Sequence, residues 1–482
     1  MSAPGYRVIV GMEVHLQLKT RTKAFCGCRV VYGDEPNTHL CPVCLGLPGA
    51  LPALNAEALR LGVRTGLALR CTIAARTKWD RKNYFYPDLP KGYQISQYDK
   101  PLCERGFLEI DADDGTPKRV RIRRAHLEED TGKSFHVAGT KHSRIDLNRC
   151  GTPLLEIVSE PDLASADEAA RYLEELRKVV AYAGTSDGNM QEGNLRCEPN
   201  VNLVYPNGDR TPIVEVKNVN SVSNVARAIR FEVARQDAEY RAHGRTMANT
   251  PRSTRGFDDA AGETVHQRTK ESADDYRYFP EPDLPPLDVD PALVEAERAS
   301  LPELPRARRT RYVEAFGLSA YDAGVLTADR RVADWYEQAL VAGASPKGVA
   351  NWLTGEVFAR LNAESRGIEA VPFPPARLGE LTALVEGKTV NAQAGKQVLR
   401  TMWESGEAPK DVVARLGLAQ VSDPGAVKAA CEAAIVAEPN AAAAVRAGKM
   451  EAFGRLMGAA MKALKGKGDP AAVKATLTDL LR

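Results

Sequence analysis

The sequence of 482 residues has no long apolar run and almost no excess of charge of either sign. No segment stays apolar for the roughly 20 residues that a membrane-spanning helix needs, and no basic start leads into an apolar stretch, so we expect neither a membrane span nor a secretion signal. A formal net charge of +2 gives no overall attraction for nucleic acid, so such binding would have to come from local patches. These absences favour a cytoplasmic globular protein with no membrane or DNA partner.

Three further absences narrow the range of possible functions. The nine cysteines are an odd number without a secretion signal, which disfavours a disulfide framework. Residues 132–134 and 387–389 resemble the end of a phosphate-binding loop, but Leu127 and Thr382 stand where that loop requires a glycine. The sequence also offers no recognisable Ser-Lys or Cys-His nucleophile pair of a glutaminase. A bound nucleotide would therefore be held by carboxylates, cations and metal ions.

The distribution of apolar residues predicts an α+β protein. A hydrophobic content of 44% is enough for a sizeable core, and the length suggests about three domains. Residues 6 to about 290 are rich in strand patterns and the remainder is helical, with a proline-rich join at 280–305 between the two parts. Within the first part a helix is predicted at 165–182, because Ser165 and Glu168 have the spacing of a capping box.

Four cysteines form a pattern typical of a zinc site. Cys26 and Cys28 are followed by Cys41 and Cys44, and two close pairs joined by a short loop can supply four thiolates in a tetrahedron. A site with four thiolates is closed, so it would support the fold and take no part in catalysis. Inert or redox-active thiols are the alternative, because the first pair has one spacer residue where two are commoner.

A polar strand face provides the first candidate ligands. In the strand pattern at 6–18, Glu13 and His15 lie on one face, opposite a row of apolar residues. Two residues along a strand are about 7 Å apart, so the carboxylate and the imidazole could converge on one cation. A sheet face open to solvent would show the same pattern. The alternation recurs in two later strands, whose polar faces carry Arg196, Glu198, Asn200, Asn202, Glu215 and Lys217.

Two polar turns add further candidates. At the end of the strand pattern 121–133, Glu128, Glu129 and Asp130 form an acidic knot in which two carboxylates could hold magnesium. Residues 146–157 surround a Gly-Thr-Pro turn with groups suited to phosphates and a metal, although they are also ordinary turn residues: Asp146, Asn148, Arg149 and Glu156.

Two stretches combine features of RNA or nucleotide binding. Residues 81–94 interleave cations such as Lys82 with rings such as Tyr84, which suits stacking on a base, although the rings could also pack internally. Residues 441–482 contain eight Lys and Arg against three Asp and Glu, which suits either RNA or a solvated helix face.

Six motifs in a fixed order carry a resemblance to a known family. They are residues 11–15 (GMEVH), 81–88 (RKNYFYPD), 126–130 (HLEED), 146–157 (DLNRCGTPLLEI), 193–200 (GNLRCEPN) and 215–218 (EVKN). Together they resemble the GatB/GatE family, the B subunits of the tRNA-dependent amidotransferases. Leu147 and Cys150 replace the aromatic and small residues expected in the fourth motif.

The resemblance implies an architecture of three parts. A cradle-shaped catalytic domain with a mixed, largely antiparallel sheet would cover 1–293 and contain the zinc-binding insert near 26–44. An all-helical domain at 294–405 and a helical tail similar to YqeY proteins at 406–482 would follow. The tail would bind tRNA through Lys449, Arg455, Lys462, Lys465 and Lys467, although Ala459 stands where the family has a glutamine.

The resemblance also implies an activity. In this family ATP phosphorylates the side-chain carboxylate of glutamate or aspartate misattached to tRNA(Gln) or tRNA(Asn), and ammonia then displaces phosphate to give the amide. The chain would be part of a carbon-nitrogen ligase with glutamine as amide donor, using ATP, Mg²⁺ and structural Zn²⁺. Ammonia would arrive through a channel from an amidase A subunit (GatA), joined by a small C subunit (GatC) in a heterotrimer.

The implied site residues fall into three sets. Magnesium binding is expected of Glu13, His15, Glu128, Glu156 and Glu215. Contact with ATP is expected of Lys82, Tyr84, Arg149, Arg196 and Lys217, and the four cations among them would neutralise phosphate or line the ammonia path. Orientation of the substrate is expected of Asn148, Asn200 and Asn218, and Glu198 completes the catalytic set.

Two other functions remain as alternatives. A noncatalytic, zinc-containing RNA-binding module would explain the cysteines, the aromatic loop and the basic tail, but Glu13, Glu128, Glu198 and Glu215 would then repel phosphates unless a metal intervened. An ATP-dependent ligase acting on a small acid is the other alternative, and strong ATP turnover without charged tRNA would favour it.

Overall fold

The structure is a computed structural model that describes residues 5–137, 139–269, 273–420 and 423–481. The chain divides into two compact units, Met1–Leu304 and Pro305–Arg482. This boundary lies within the proline-rich join at 280–305, whereas the finer division at 293 and 405 stays a prediction. Arg482, one of the cations counted in the tail, lies outside the described residues.

The first unit contains the strands. They are β1 (Arg7–Gln17), β2 (Thr72–Ile73), β3 (Arg76–Thr77), β4 (Asp80–Asn83), β5 (Tyr93–Ser96), β6 (Cys103–Asp111), β7 (Pro117–Glu129), β8 (Lys133–His136), β9 (Ser143–Asp146), β10 (Pro153–Ser159), β11 (Leu195–Val204), β12 (Val214–Lys217), β13 (Ser253–Asp258), β14 (Glu263–Thr269), β15 (Phe279–Pro280) and β16 (Leu287–Asp288). Nine of them form one sheet in the order β14-β13-β12-β11-β1-β10-β7-β6-β2. Its neighbouring strands are antiparallel except β12 and β13, which are parallel. The mixed α+β architecture predicted from the sequence is therefore confirmed.

The strand β1 lies in the middle of this sheet, between β11 and β10. Val10, Val14 and Leu16 are fully buried on its apolar side, whereas Glu13 and His15 on the other side are half-buried. The alternation predicted for this strand is confirmed, and it gives the sheet one face that packs on helices and one that carries polar groups.

Helices cover the apolar face of the sheet. The first unit has α1 (Pro42–Leu45), α2 (Ala56–Ala68), α3 (Ala166–Ala183), α4 (Val222–His243) and α5 (Pro291–Ser300). Apolar residues of α2, α3 and α4 share one core with the sheet. The helix α3 begins where the capping pattern predicted, because the Ser165 hydroxyl accepts a hydrogen bond from the Glu168 backbone N–H at 3.0 Å, and it ends at Gly184 in the left-handed region.

The helix α5 belongs to the first unit through a buried carboxylate. Glu297 accepts hydrogen bonds from Arg60 at 2.8 Å and Arg64 at 2.7 Å, both on α2. This contact places residues 291–300 with the sheet, although the sequence division at 293 would assign most of them to the helical part.

Three small sheets lie beside the large one. The strand β4 pairs with β5 and β15, so residues 279–280 lie next to residues 80–81. The strands β8 and β9 form a hairpin, and β16 pairs with β3. These pairings bring the aromatic stretch after β14 to the same place as the aromatic loop that follows β4.

The second unit is helical throughout its described residues. Its helices are α6 (Pro305–Glu314), α7 (Ala320–Leu326), α8 (Arg330–Leu340), α9 (Pro346–Trp352), α10 (Phe358–Ala363), α11 (Pro375–Glu386), α12 (Ala392–Ser405), α13 (Pro409–Arg415), α14 (Pro424–Ala437), α15 (Pro439–Arg446), α16 (Phe453–Ala463) and α17 (Pro470–Leu481), with a π-helical turn at Leu353–Val357. Two apolar cores, at 312–413 and 427–481, hold these helices together. Among the described residues, no helix is both long and apolar enough to cross a membrane.

Candidate active site

A cavity of about 610 Å³ opens on the polar face of the large sheet. Side chains at paired positions of neighbouring strands form the floor of this cavity. His15 of β1 lies opposite Arg196 of β11 and opposite Glu156 of β10. Glu156 in turn lies opposite His126 of β7. All four side chains line the cavity, so one row of paired positions on four strands brings together groups that are far apart in the sequence.

A first group of potential metal ligands comprises His15, Glu128 and Glu156, each with a ligand atom within 4.8 Å of the others. His15 Nε2 lies 3.6 Å from Glu128 Oε1 and 3.8 Å from Glu156 Oε2. His126 Nε2 adds a fourth donor at 3.4 Å from Glu156 Oε2. Such distances are longer than hydrogen bonds, and they suit side chains that face a common point.

Two atoms of this group are buried without a hydrogen-bond partner, Glu128 Oε2 and His126 Nδ1. Burial and the neighbouring Glu156 raise the pKa of Glu128. Burial also works against ionised Glu156, but His126 and His15 outweigh it and hold the pKa of Glu156 well below its usual value. Two buried carboxylates whose pKa values are driven apart form a site that a cation would stabilise.

A second group comprises Glu13, Glu198 and Glu215, whose ligand oxygens also lie within 4.8 Å of one another. Each has a partner: Asn200 donates to Glu13 at 3.0 Å, Lys217 to Glu198 at 2.6 Å and Thr254 to Glu215 at 2.7 Å. Burial works against the charge of Glu198, but Lys217 and His15 lower its pKa overall. Glu198 is thus held ionised, and hydrogen bonds orient all three carboxylates.

The expectation that Glu13 and His15 share one cation is corrected by these two groups. Glu13 lies opposite Glu198, whereas His15 lies opposite Glu156 and Arg196. Residues two positions apart on a strand are separated by about 7 Å. Glu13 and His15 therefore lie beside the ligands of different groups. The five residues predicted to bind magnesium all line one cavity but divide between two groups.

The donor atoms of both groups fit divalent cations. The second group offers only carboxylate oxygens, which Mg²⁺ prefers. The first group adds imidazole nitrogens, which suit transition metals better than magnesium. The unpartnered oxygen of Glu128 is the observation that favours an ion in the first group, because a buried polar atom without a partner is unfavourable.

The acidic knot at 128–130 does not act as one ligand set. Glu129 points to the other side of the strand, where it pairs with Lys91 and accepts a hydrogen bond from the Ile95 N–H at 2.9 Å. Asp130 accepts a hydrogen bond from Arg196 at 2.9 Å. Because β7 extends through Glu129, alternation turns Glu129 away, whereas Glu128 and Asp130 both line the large cavity. Magnesium binding by two carboxylates of the knot therefore stays a prediction.

Lys82 brings positive charge into the same cavity. Its Nζ lies 4.8 Å from the centre of the Tyr276 ring and 5.9 Å from that of Tyr84. Burial works against its charge, but Glu128, Tyr278 and Glu156 outweigh burial and hold the pKa of Lys82 well above its usual value. The ammonium is therefore charged beside the first carboxylate group and can contact an anionic substrate.

Some side chains of the aromatic loop line the cavity, and others are exposed to solvent. Tyr84 lines the cavity and donates a hydrogen bond to Gln94 at 3.1 Å, while Phe85 is 76% exposed. Arg81 turns away and forms a double hydrogen bond with Glu281 at 2.8 and 2.9 Å. The sequence interpretation missed several cavity residues, among them Arg124, Arg268, Tyr276 and Tyr278. The Tyr-Arg-Tyr pattern at 276–278, which repeats the interleaving of rings and cations, could have indicated the two tyrosines.

Four residues predicted for the site lie outside this cavity: Asn148, Arg149, Asn200 and Asn218. Asn148 accepts a hydrogen bond from the His39 N–H at 2.9 Å and donates to the Glu35 carbonyl at 2.7 Å. Arg149 donates to the carbonyls of residues 131 and 132 and, like Asn148, lines a different cavity of about 470 Å³. Asn218 is exposed after the end of β12, with a φ of 64°. Contact of Asn148, Arg149 and Asn218 with the substrate therefore stays a prediction.

The remaining predicted residues do line the large cavity. They are Arg196, Glu198, Glu215 and Lys217. Asn200 lines an adjoining cavity and reaches the site through its hydrogen bond to Glu13. The strands that carried the strongest alternation in the sequence therefore supply most of the site.

The four cysteines predicted to bind zinc lie together. Sulfur atoms of Cys26, Cys28, Cys41 and Cys44 are all within 4.8 Å of one another. A hydrogen bond from Cys26 and the nearby Lys23 lower the pKa of Cys44, although its burial works in the opposite direction. Four sulfurs at this separation fit a tetrahedral ion.

The predicted tRNA-binding cations lie at the end of the second unit. Arg455 and Lys462 are exposed on α16, and Lys449 is exposed shortly before it. Lys465 and Lys467 lie in the turn between α16 and α17. The five side chains are therefore carried by one helix and its flanking turns.

The chain matches known proteins over almost its whole length. The GatB/GatE catalytic domain matches residues 8–295, and the GatB domain matches residues 334–481. Proteins named as the B subunit of aspartyl/glutamyl-tRNA(Asn/Gln) amidotransferase are similar to it: that of Myxococcus xanthus is 48% identical over 479 residues and that of Geobacter sulfurreducens 49% identical over 482 residues, each alignment covering 99% of both chains. The protein of that name from Moorella thermoacetica is 46% identical over 480 residues, covering 99% of this chain and 100% of its own.

Proposed function

The chain belongs to the GatB/GatE family, and from that membership we propose that its cavity activates and amidates the side-chain carboxylate of a misacylated tRNA. This subunit functions in the transamidation of aspartyl- or glutamyl-tRNA, the activity that the names of its relatives state. The substrates would be Glu-tRNA(Gln), Asp-tRNA(Asn) or both, converted where tRNA is charged, in the cytoplasm.

The proposed reaction has two steps. The substrate carboxylate attacks the γ-phosphorus of ATP and releases ADP, which gives an acyl phosphate still attached to tRNA. Ammonia then attacks the acyl carbon, phosphate leaves, and a proton from the nitrogen passes to a base, which leaves the amide. The first step brings anionic ATP and a carboxylate to a site that already holds carboxylates, and the second step develops negative charge on the acyl oxygen and the leaving phosphate. Positive charge must therefore offset the repulsion.

The two carboxylate groups support this proposal most directly. His15, Glu128 and Glu156 would hold one divalent cation, and Glu13, Glu198 and Glu215 a second. When bound, Mg²⁺ neutralises charge on phosphate oxygens. Binding proteins for RNA have no use for six inward-facing carboxylates and imidazoles, because unshielded carboxylates repel phosphate.

The cations of the cavity would contact the phosphates. Lys82 is held charged by the neighbouring carboxylates, and Lys217 and Arg196 lie at the opposite wall with Glu198 and Asp130. The ring of Tyr84 beside Lys82 would limit how far a substrate can enter. These side chains orient ATP and the acyl group for in-line transfer.

Ammonia requires a separate source. The sequence offers no recognisable glutaminase nucleophile pair, so we infer that an amidase subunit, GatA, supplies ammonia and that a small subunit, GatC, joins the two. Free ammonia would be mostly protonated near neutral pH and would not act as a nucleophile. A closed channel from GatA to the cavity would keep the ammonia from being protonated in the solvent.

The cysteine group and the tail would have supporting roles. Zinc bound by Cys26, Cys28, Cys41 and Cys44 would fix the segment between β1 and α2. The exposed cations at 449–467 would contact the phosphates of tRNA away from the reacting end. The first unit would thus carry out the reaction, and the second unit would bind tRNA.

Amide formation on charged tRNA tests this function. The purified chain is assayed with ATP, magnesium and high ammonium chloride on Glu-tRNA(Gln) and Asp-tRNA(Asn), and then with the A and C subunits and glutamine. We expect amide with the complete complex and loss of amide in Glu128→Ala. Binding of tRNA without amide under all conditions would support the RNA-binding alternative, and strong ATP turnover without tRNA would support the small-acid ligase.

A further inference from the structure

The loop between the two cysteine pairs is bonded to a distant segment of the first unit. We call residues 29–40 the cysteine loop, and the sulfurs at its two ends lie together. We call residues 145–148, at the end of β9, the anchor segment. Five hydrogen bonds join the loop to the anchor segment, between residues that are 108 to 113 positions apart in the sequence.

Asn37 of the cysteine loop takes part in three of these bonds. Its backbone N–H donates to Asp146 Oδ1 at 3.2 Å and its side-chain amide donates to the Ile145 carbonyl at 3.0 Å. Its Oδ1 accepts a hydrogen bond from the Leu147 N–H at 2.8 Å. Asn37 has a φ of 61°, in the left-handed region that asparagine enters more readily than most residues. An exposed asparagine could be satisfied by water, so the use of all three groups on one segment is specific.

Asn148 of the anchor segment supplies the other two bonds in the opposite direction. Its Oδ1 accepts a hydrogen bond from the His39 N–H at 2.9 Å, and its amide donates to the Glu35 carbonyl at 2.7 Å. Each segment therefore contributes one asparagine whose amide bonds the backbone of the other. Such reciprocal bonding fixes the position of one segment along the other.

The anchor segment leads directly into Arg149, whose guanidinium contacts the residues that follow β7. It donates to the Thr131 carbonyl at 3.0 Å and to the Gly132 carbonyl at 2.6 Å, and its Nε lies 3.5 Å from Asp130 Oδ2. The two backbones also approach closely, because a Cβ added at Gly132 would lie 2.9 Å from the Asp146 carbonyl oxygen. A shift of the anchor segment would therefore move residues 130–132.

Asp130 connects these residues to the large cavity. It is 2% exposed, lines that cavity and accepts hydrogen bonds from Arg196 at 2.9 Å and from Gln17 at 3.1 Å. Arg196 lines the cavity too and is one of the cations proposed to contact phosphate. The position of this guanidinium therefore depends on a buried carboxylate that Arg149 also contacts.

We propose that Asn37 is a positioning residue for the reaction, acting through the anchor segment on Arg149 and through it on Asp130 and Arg196. The proposal rests on the proposed function and adds to it a residue that lies outside the large cavity. Asn37 touches no substrate in this role. It holds the wall of the cavity in the geometry that the transition state requires.

Kinetics of Asn37→Gly test this role. Glycine keeps the left-handed backbone and the N–H but removes the side-chain amide. In the complete complex with ATP, magnesium and glutamine, we expect kcat for amide formation to fall about tenfold, because a displaced cation stabilises the transition state less. The KM for charged tRNA and the zinc content should stay unchanged.

Thr38→Ala is the matched control. It removes a hydrogen bond of 2.7 Å from the Thr38 hydroxyl to the Glu35 carbonyl within the same exposed loop, but none to the anchor segment. It should keep the wild-type kcat. An equal fall in Thr38→Ala and Asn37→Gly would overturn the proposal, since it would report a general effect of the loop.

A double variant shows whether Asn37 acts through Arg149. If it does, Asn37→Gly combined with Arg149→Gln should lower kcat no further than Arg149→Gln alone, whereas independent effects would multiply. Multiplied losses would overturn the proposal. This comparison separates positioning from a loss of stability, which would add its own effect in either background.

Hydrogen–deuterium exchange provides a measurement that does not depend on activity. We expect the backbone amides of residues 130–132 to exchange faster in Asn37→Gly than in the wild type or Thr38→Ala. Unchanged exchange there would overturn the coupling. If the wild type forms amide and Asn37→Gly forms it equally fast, only the role of Asn37 fails. If the wild type forms none, the proposed function fails and exchange alone decides the coupling.

Discussion

At the scale of single residues, the site depends on carboxylates that the fold holds close together. Glu128 is 3% exposed, has one oxygen without a partner and lies near Glu156. Its raised pKa means that the folded protein holds it in the charged form at a cost in free energy. The ionised Glu128 carboxylate therefore lowers the stability of the fold but can hold a cation.

Replacement of Glu128 by glutamine should separate function from stability. Because the variant cannot supply the negative charge, we expect amide formation to fall by at least about 100-fold. Because the folded pKa of a carboxyl is raised here, its charge destabilises the fold at neutral pH, and the metal-free variant should unfold a few degrees higher. Amide formation and thermal unfolding in EDTA measure the two effects.

The matched control is Glu104→Gln, an exposed carboxylate on the neighbouring part of the sheet. It should change neither quantity. A Glu128→Gln variant that is as active as the wild type, or that is strongly destabilised without metal, would contradict the role given to this residue.

Single residues also show which features of the site could be predicted from the sequence and which could not. Alternation placed Glu13, His15, Arg196 and Glu198 on the correct face, because it is a local property of each strand. The pairing of strands is not local, so the division of ligands into two groups depended on register. Asn148 could not be distinguished from a site residue, since its type suits both a turn and a ligand.

At the scale of elements, the ion pairs of α5 with α2 stabilise the first unit. Burial works against the charge of Glu297, but Arg60 and Arg64 outweigh it and lower its pKa. A lowered carboxyl pKa contributes stability above the unfolded value of about 4, and that contribution is lost as the pH falls through the folded value.

Glu297→Gln should therefore destabilise the protein at neutral pH by about 2 kcal/mol, since two charge-assisted hydrogen bonds are lost. The difference from the wild type should begin to shrink below about pH 4, where the carboxyl of the unfolded chain becomes protonated, and should be lost as the pH falls through the lower folded pKa. Urea unfolding at pH 7 and at pH 3.5 measures it. Glu295→Gln, an exposed carboxylate on the same helix, is the control; a pH-independent difference would contradict the assigned cause.

The cysteine segment offers a second test at this scale. Cys41→Ser removes one of four ligands, so we expect bound zinc to fall from about one ion per chain to nearly none. Loss of metal should also lower the unfolding temperature, because metal binding is coupled to folding. Metal analysis and thermal unfolding of the purified chain check both.

Cys150→Ala is the matched control for that test. Its thiol is buried 3.5 Å from the Cys44 carbonyl but lies outside the group of four. It should keep the zinc. Equal metal content in Cys41→Ser and the wild type would show that the four sulfurs do not form the site.

At the scale of the whole molecule, the proposed tRNA binding would need a local positive patch, because the chain is nearly neutral. The exposed cations on and beside α16 are the proposed patch. Each contact with phosphate releases counterions, so the dependence of affinity on salt reports their number. A balanced overall charge keeps other nucleic acids from binding strongly.

Combined replacement of Lys449, Arg455 and Lys462 by glutamine should therefore weaken tRNA binding and lower the slope of log affinity against log salt by about 2 to 3. Amide formation at saturating tRNA should be affected less than binding. Titrations at several salt concentrations measure the slope. The pair Lys428→Gln and Lys474→Gln, which removes exposed cations from α14 and α17, serves as control; an equal effect in both sets would contradict a local patch.

The central position of β1 has a consequence for how the protein is made. This strand ends at Gln17, but its neighbours begin only at Pro153 and Leu195. At about 5 to 20 residues per second, a ribosome needs roughly 10 to 30 s to synthesise the first of them. During that time both hydrogen-bonding edges of β1 lack their native partners, and an unpaired strand invites aggregation. The strand at the centre of the candidate active site is thus a part of the nascent chain that a chaperone would protect.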